Sequence, residues 1–216
     1  MSRYVKRMKD VLVSFNATAQ RIHRDMDRNN TNYKPDVAAD ENTRLQVELN
    51  KAAGDARAQI DSIYEDAAAA VMKWAEPAGG EINTADLTLL NGSFDLSVEA
   101  LHDLLVKHQD NGTMVNAIAK YAKKSGVVLD YIPNASDKLA AYEAFAGSAH
   151  SMIGSIVGTI GLSDNSFALS KWAEPGNISQ RMELALYGIK KKESGTENPP
   201  KGNFNFGFRP LDGRGN

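Results

Sequence analysis

With 216 residues, 42% of them apolar and 24% charged, the chain is long enough for a domain with a real core and too apolar to be disordered throughout. It has no cysteine, which excludes disulfides, thiolate nucleophiles and Cys-based zinc or iron–sulfur sites together. The net charge of −2 hides a gradient: residues 1–30 carry +4 and residues 189–216 carry +3, so the centre carries −9, and basic ends of this kind can dock on an acidic partner or on the acidic centre of a neighbouring copy.

No apolar run of about 7 to 15 residues follows the basic start, so export by a signal is not expected. Tyr4, Met8, Val11, Leu12, Phe15, Ala19, Ile22 and Met26 recur at steps of mostly three and four, which predicts a basic amphipathic helix over residues 1–30. Asn29 to Pro35 then reads as a linker. From Asp40 the positions Leu45, Leu49, Ala52, Ala56, Ile60, Ile63, Ala67, Ala70 and Trp74 keep helical spacing until Pro77-Ala78-Gly79-Gly80, predicting a rod over 40–76 that needs a partner helix. Residues 80–126 read as a head of three short helices, capped by Asn83 or Thr84, by Ser97 and by Thr113, and stopped by Asn91-Gly92, Asn111-Gly112 and Gly126.

Val127-Val128-Leu129 suggests a short extended segment. A second long helix is predicted over 136–161, started by Asn134 or Ser136, with a stripe of Leu139, Tyr142, Ala146, Ala149, Ile153, Ile156 and Ile160. Beside it run Gly147, Gly154, Gly158 and Gly161. Each interior glycine costs about 0.8–1 kcal/mol of helix propensity relative to Ala, and close backbone packing against the helix of residues 40–76 is the expected compensation. The fold class expected is therefore all-α: a long antiparallel helix pair with the head inserted between its members. Ala144–Ser163 carries no formal charge over about the length of a membrane span, but His150, five hydroxyl residues and four glycines argue against one.

The pentapeptide Lys73-Trp74-Ala75-Glu76-Pro77 recurs as Lys171-Trp172-Ala173-Glu174-Pro175, which reads as a helix stop with a packed Trp and a blocking Pro. After Lys190-Lys191-Lys192 and a linker ending in Pro199-Pro200, Phe204, Phe206 and Phe208 alternate and Arg209 follows. If extended, residues 189–216 form an arm with three rings on one face, suited to a neighbour's groove.

A search for chemistry finds no catalytic, cofactor-binding or metal-ligating set. Gly154-x-x-x-Gly158 lacks the Lys and Ser/Thr of a phosphate loop. His23, His102, His108 and His150 are dispersed, and His102 and His108 fall about 120° apart on a helix, poor geometry for zinc. Asp61, Glu65 and Asp66 read as solvated charges. A DNA-binding reading survives as the alternative: Asn116, Lys120, Lys123 and Lys124 sit on the second helix of a helix-turn-helix-like pair joined at Asn111-Gly112-Thr113, although a pI near 6.1 is far from a basic footprint.

Leu96-Ser97-Val98-Glu99-Ala100-Leu101, continuing through Lys107-His108-Gln109-Asp110-Asn111-Gly112-Thr113-Met114 to Ala117-Ile118, Tyr121-Ala122 and Gly126-Val127, resembles uncharacterised proteins of tailed-phage and prophage structural gene clusters. That resemblance covers about 30 residues and carries no catalytic motif. It implies a context, not a mechanism; in that context the long rod and the Phe arm lead to the expectation of a non-enzymatic capsid or connector accessory in the virion or host cytoplasm, with other protein subunits or further copies of itself as partners. A transient assembly scaffold or chaperone is the third reading.

Overall fold

The structure is a computed structural model that describes residues 3–76, 81–92, 94–158, 166–172, 174 and 177–189, with the side chains of 166–168 left aside. The described residues form eight helices and no strand: α1 (Arg3–Asn32), α2 (Pro35–Ala75), α3 (Thr84–Asn91), α4 (Val98–His108), α5 (Gly112–Ser125), α6 (Ala135–Gly158), α7 (Ser166–Lys171) and α8 (Gln180–Tyr187). Val127–Leu129, expected to be extended, belongs to a connection without strand pairing.

The expected linker at Asn29–Pro35 shrinks to Tyr33 and Lys34. Helix α1 continues through Asn32, and Pro35 opens α2, a position where its missing N–H and fixed φ cost nothing. At 41 residues and 1.5 Å per residue, α2 is about 60 Å long. Side-chain pairs fix the direction of its neighbours. Arg7 meets Asp66 at 2.8 Å, Arg21 meets Glu48, and Asn42 bonds both Asn29 and Asn30, so α1 runs antiparallel to α2. His150 Nε2 lies 2.9 Å from Asp61 Oδ1, and Gly154 lies near Arg57, so α6 is antiparallel to α2 as well. The expected helix pair thus exists, and α1 joins it as a third member.

One core unites the three. It is built from Tyr4, Val5, Met8, Leu12, Phe15 and Ile22 of α1, Leu49, Ala53, Ala56, Ile60, Ile63, Ala67 and Val71 of α2, and Tyr142, Phe145, Ala149, Ile153 and Ile156 of α6. Burying each large side chain contributes about 1.5–3 kcal/mol against its exposed state, so this seam outweighs the surface ion pairs, which set register more than stability. Arg7 and Arg21 of the basic N-terminal helix meet carboxylates on α2 of their own chain, an acidic surface that intrachain packing supplies.

The glycine expectation is overturned. Gly147, Gly154 and Gly158 face solvent; a Cβ at Gly147 or Gly158 would touch nothing within 4 Å, and one at Gly154 would meet only the Arg57 guanidinium at 3.9 Å. The reason is angular. Each glycine stands one residue, or about 100°, from Ala146, Ile153 or Val157 on the packed side, so the small residues that let the helices approach are Ala53, Ala56, Ala67, Ala146 and Ala149. Gly161 and Ile160 lie outside the described residues.

Trp172 supports its expected packing role. Its ring is buried against Phe145 with centroids 5.4 Å apart at 82°, and its Nε1–H donates to Ser148 Oγ at 3.1 Å. From there the chain returns along α6 to α8, where Arg181 grips Asp137 with two nitrogens at 2.8 and 3.1 Å. Hydrogen bonds from Arg181, more than any other contact, hold the Asp137 carboxyl below its ordinary range. Beside the pair, burial and then the Asp137 charge push the Tyr131 hydroxyl up to about 12.

Gly54 and Gly147 occupy open helical surface, so Gly54→Ala and Gly147→Ala are each expected to stabilise the chain by about 0.5–1 kcal/mol. Thermal unfolding followed by circular dichroism checks this. A lower midpoint for Gly147→Ala would restore the packing role that the geometry denies.

Candidate protein-docking site on the helical head

Because α6 antiparallels α2, the chain leaves and re-enters the bundle at the same end, and α3, α4 and α5 fill that excursion with a second core. Leu90, Leu101, Leu105, Met114, Val115, Ile118, Tyr121 and Ala122 compose it, together with Ile189 from beyond α8. Asn83, Ser97 and Asn111 cap the three helices by accepting the backbone N–H of Asp86, Ala100 and Met114. The third cap is Asn111, not Thr113 as expected, so the helix starts at Gly112.

That glycine is required by proximity. A Cβ on Gly112 would lie 1.9 Å from the Trp74 carbonyl oxygen, so the start of α5 seats directly on the last turn of α2. Trp74 itself is half-buried at this joint, and its ring faces the Lys138 ammonium at 5.0 Å from the centroid. Lys138 also donates to the Ala185 carbonyl at 3.1 Å, and burial lowers its pKa. The two copies of the repeated pentapeptide therefore anchor different cores, Trp74 the head and Trp172 the bundle.

Inside the head, Asp86 of α3 accepts from Lys107 Nζ at 2.7 Å and from His108 Nε2 at 2.5 Å. A carboxylate can only accept, so His108 carries its proton on Nε2. Hydrogen bonds from Lys107 first, then from His108, hold the Asp86 carboxyl below its ordinary value. This cluster ties α3 to the end of α4 and turns the opposite side of α3 outward.

The outward side is a groove of about 320 Å³ lined by Thr84, Leu87, Thr88, Asn91 and Gly92. Phe94, 59% exposed, stands at its end. Tyr121 holds it there: its hydroxyl accepts the Leu96 N–H at 3.0 Å and donates to the Phe94 carbonyl. Gly92 makes room, because a Cβ at that position would press 2.8 Å from the Phe94 ring. Ile82, Leu89 and Val98 add exposed apolar surface on the same short stretch of chain. Together these side chains make a patch of exposed apolar surface on the head. No family model, curated protein or solved structure matches the chain.

Of the other residues singled out from sequence, Phe204, Phe206, Phe208 and Arg209 lie outside the described residues. Asn116, Lys120, Lys123 and Lys124 are all exposed and share one face of α5. His23 and His102 are half-buried, and His102 does not join His108 on Asp86. Among the described residues no three His, Asp or Glu side chains are grouped to hold a metal ion, and no helix is long and apolar enough to cross a membrane.

Asp86→Ala strips the buried His108 of its partner and should cost about 1–3 kcal/mol. The pH dependence has a definite sign. A carboxyl whose folded pKa is depressed contributes fully above its unfolded value near 4, and that contribution is lost as pH falls through and below it. The unfolding midpoint should drop from pH 5 to pH 3, and drop less in Asp86→Asn; equal drops would remove Asp86 from the account.

Proposed function

We propose that the chain is a non-enzymatic structural component of a phage-type particle, a capsid or connector accessory that joins subunits by helix packing, with residues 189–216 as a docking arm. One observation carries this reading: a bundle built on a helix about 60 Å long ends in exposed apolar side chains at both extremities. Tyr33 and Val37 project where α1 turns into α2, Val47 projects about 18 Å further along α2, and Ile82, Leu89, Phe94 and Val98 project from the head at the other end. A strut with an apolar patch at each end suits a part that spans between two partners. The resemblance of residues 96–127 to proteins of tailed-phage structural gene clusters gives that shape a context, the virion or the host cytoplasm before assembly.

A second reading has its own observation, the exposed row of Asn116, Lys120, Lys123 and Lys124 on α5, which suits nucleic-acid phosphates. A transient scaffold is the third, and presence in the finished particle separates it from the first.

The expected result is that the chain co-purifies with mature particles. Tyr33→Ser combined with Val47→Lys should lower incorporation tenfold or more while leaving the helical spectrum intact, since burying two such side chains is worth about 1.5–3 kcal/mol each. Presence in immature particles alone would make it a scaffold, and absence from both overturns the proposal. Duplex DNA titrated from 50 to 200 mM salt should show no specific, steeply salt-dependent affinity. A logarithmic slope near about −3, the value for three lysine–phosphate contacts at about −0.9 each, would move the function to α5.

A further inference from the structure

We propose that the groove on α3 is the seat of this chain's own C-terminal arm, with Phe204, Phe206 and Phe208 laid across Thr84, Leu87, Thr88, Asn91 and Gly92 of the same copy before assembly. The inference rests on the docking role given to the arm above and names its receptor.

Reach comes first. Ile189, the last described residue, is buried in the head core to which Leu90 of α3 also belongs, and its N–H is held by Gln109 Oε1 at 2.6 Å. The arm therefore departs from the head itself. Phe204 lies fifteen positions beyond Ile189, enough for about 50 Å of extended chain, well beyond the distance across a unit of three short helices. A tether of that length gives an effective concentration on the order of millimolar, so even weak contacts fill the groove.

Size agrees. Phe204 to Phe208 in extended form covers about 13 Å, and α3, with eight residues, is about 12 Å long. Three rings on one face match a groove that offers Leu87 between two threonines and ends on the exposed Phe94.

Charge agrees as well. Residues 81–106 contain Glu81, Asp86, Asp95, Glu99 and Asp103 and no Lys or Arg, whereas residues 190–216 carry six Lys/Arg against three Asp/Glu. Asp86 is occupied inside the head, and Glu81 and Asp95 are exposed just before and just after α3. In the arm, Lys201 and Arg209 flank the phenylalanines in the same way. Two carboxylates bracket the groove and two cations bracket the rings, which favours one alignment and attracts the arm before contact.

The absence of cysteine makes the test clean. Full-length chain carrying Thr88→Cys and Phe206→Cys is oxidised at low micromolar concentration, beside a control with Val47→Cys and Phe206→Cys, whose first cysteine lies about 42 Å along α2 from the end that carries the head. The expected result is a disulfide within one chain, formed at least tenfold faster than in the control and seen as a faster-migrating monomer on a non-reducing gel. A rate equal to the control overturns the proposal, and cross-linked dimers in place of closed monomers overturn it in favour of a neighbour's groove. Because Phe206→Cys removes one ring, amide exchange over residues 84–98 is compared between the full-length chain and Phe204→Ser/Phe206→Ser/Phe208→Ser. Exchange several-fold faster in the triple variant supports the seat, and unchanged exchange counts against it. Both measurements use isolated protein, so the seat can fail while particle incorporation stands, and the reverse.

Discussion

The apolar seam along α2 is the constraint on which everything else depends. A helix of 41 residues whose stripe runs from Leu49 to Val71 cannot stand alone in water, and each bare Ile or Leu would forfeit about 1.5–3 kcal/mol. Two helices cover it. Once α6 is laid antiparallel to α2, the residues between them must begin and end at one end of the bundle, and the head needs no crossover to get there. The head is thus a connection that acquired its own core. It is short enough that it depends on its seat against Trp74 and on Ile189 returning from beyond α8.

Specific polar bonds hold the joint where the two cores meet. Helix α8 turns Met182 and Leu186 to the bundle and Leu184 to the head. A helix asked to face two cores has little room for a polar side, and its ends are held by specific bonds: Arg181 on Asp137 at the start, Lys138 on the Ala185 carbonyl within, and Gln109 on the Ile189 N–H just past the end. Each closes a gap that apolar packing would leave as an unsatisfied group, at a cost of about 1–3 kcal/mol for each such loss. The depressed Asp137 carboxyl and the raised Tyr131 hydroxyl follow from packing a charge-paired site under α8, and need no catalytic purpose.

Much of this was legible in the chain because helices announce themselves by period. Tyr4, Met8, Leu12, Phe15, Ala19 and Ile22 predict the buried face of α1, and Asn83 and Ser97 predict their helix starts. What the period could not supply was phase at the level of one residue. Gly147, Gly154 and Gly158 share a face as surely as Ala146, Ala149 and Ile153 do, and only the partner's position says which of two adjacent faces is inside. The partnership of α1 with α2 was hidden for a related reason. Arg7, Arg21, Asp66 and Glu48 are ordinary surface charges until the antiparallel register pairs them. The polar cluster of Asp86, Lys107 and His108 joins residues more than twenty positions apart, so no local spacing rule reaches it.

The groove on α3 was the least legible feature, and the reason is instructive. Asn91-Gly92 reads correctly as a helix stop, yet Gly92 has a second duty that no turn rule contains: it clears space for the Phe94 ring. The orientation of that ring is enforced from another helix, by a Tyr121 hydroxyl that spends both its donor and its acceptor on the backbone around Phe94. A loop free to relax would fold such a ring inward, since burying a phenylalanine is favourable by about 1.5–3 kcal/mol. Here Leu101, Leu105, Met114 and Ile118 already fill the interior, and the two bonds to Tyr121 fix the backbone with the ring outside. An aromatic side chain held away from its own core by neighbouring structure is stabilised further only when something covers it, which makes the rim of this groove the part of the head most ready to accept a second surface.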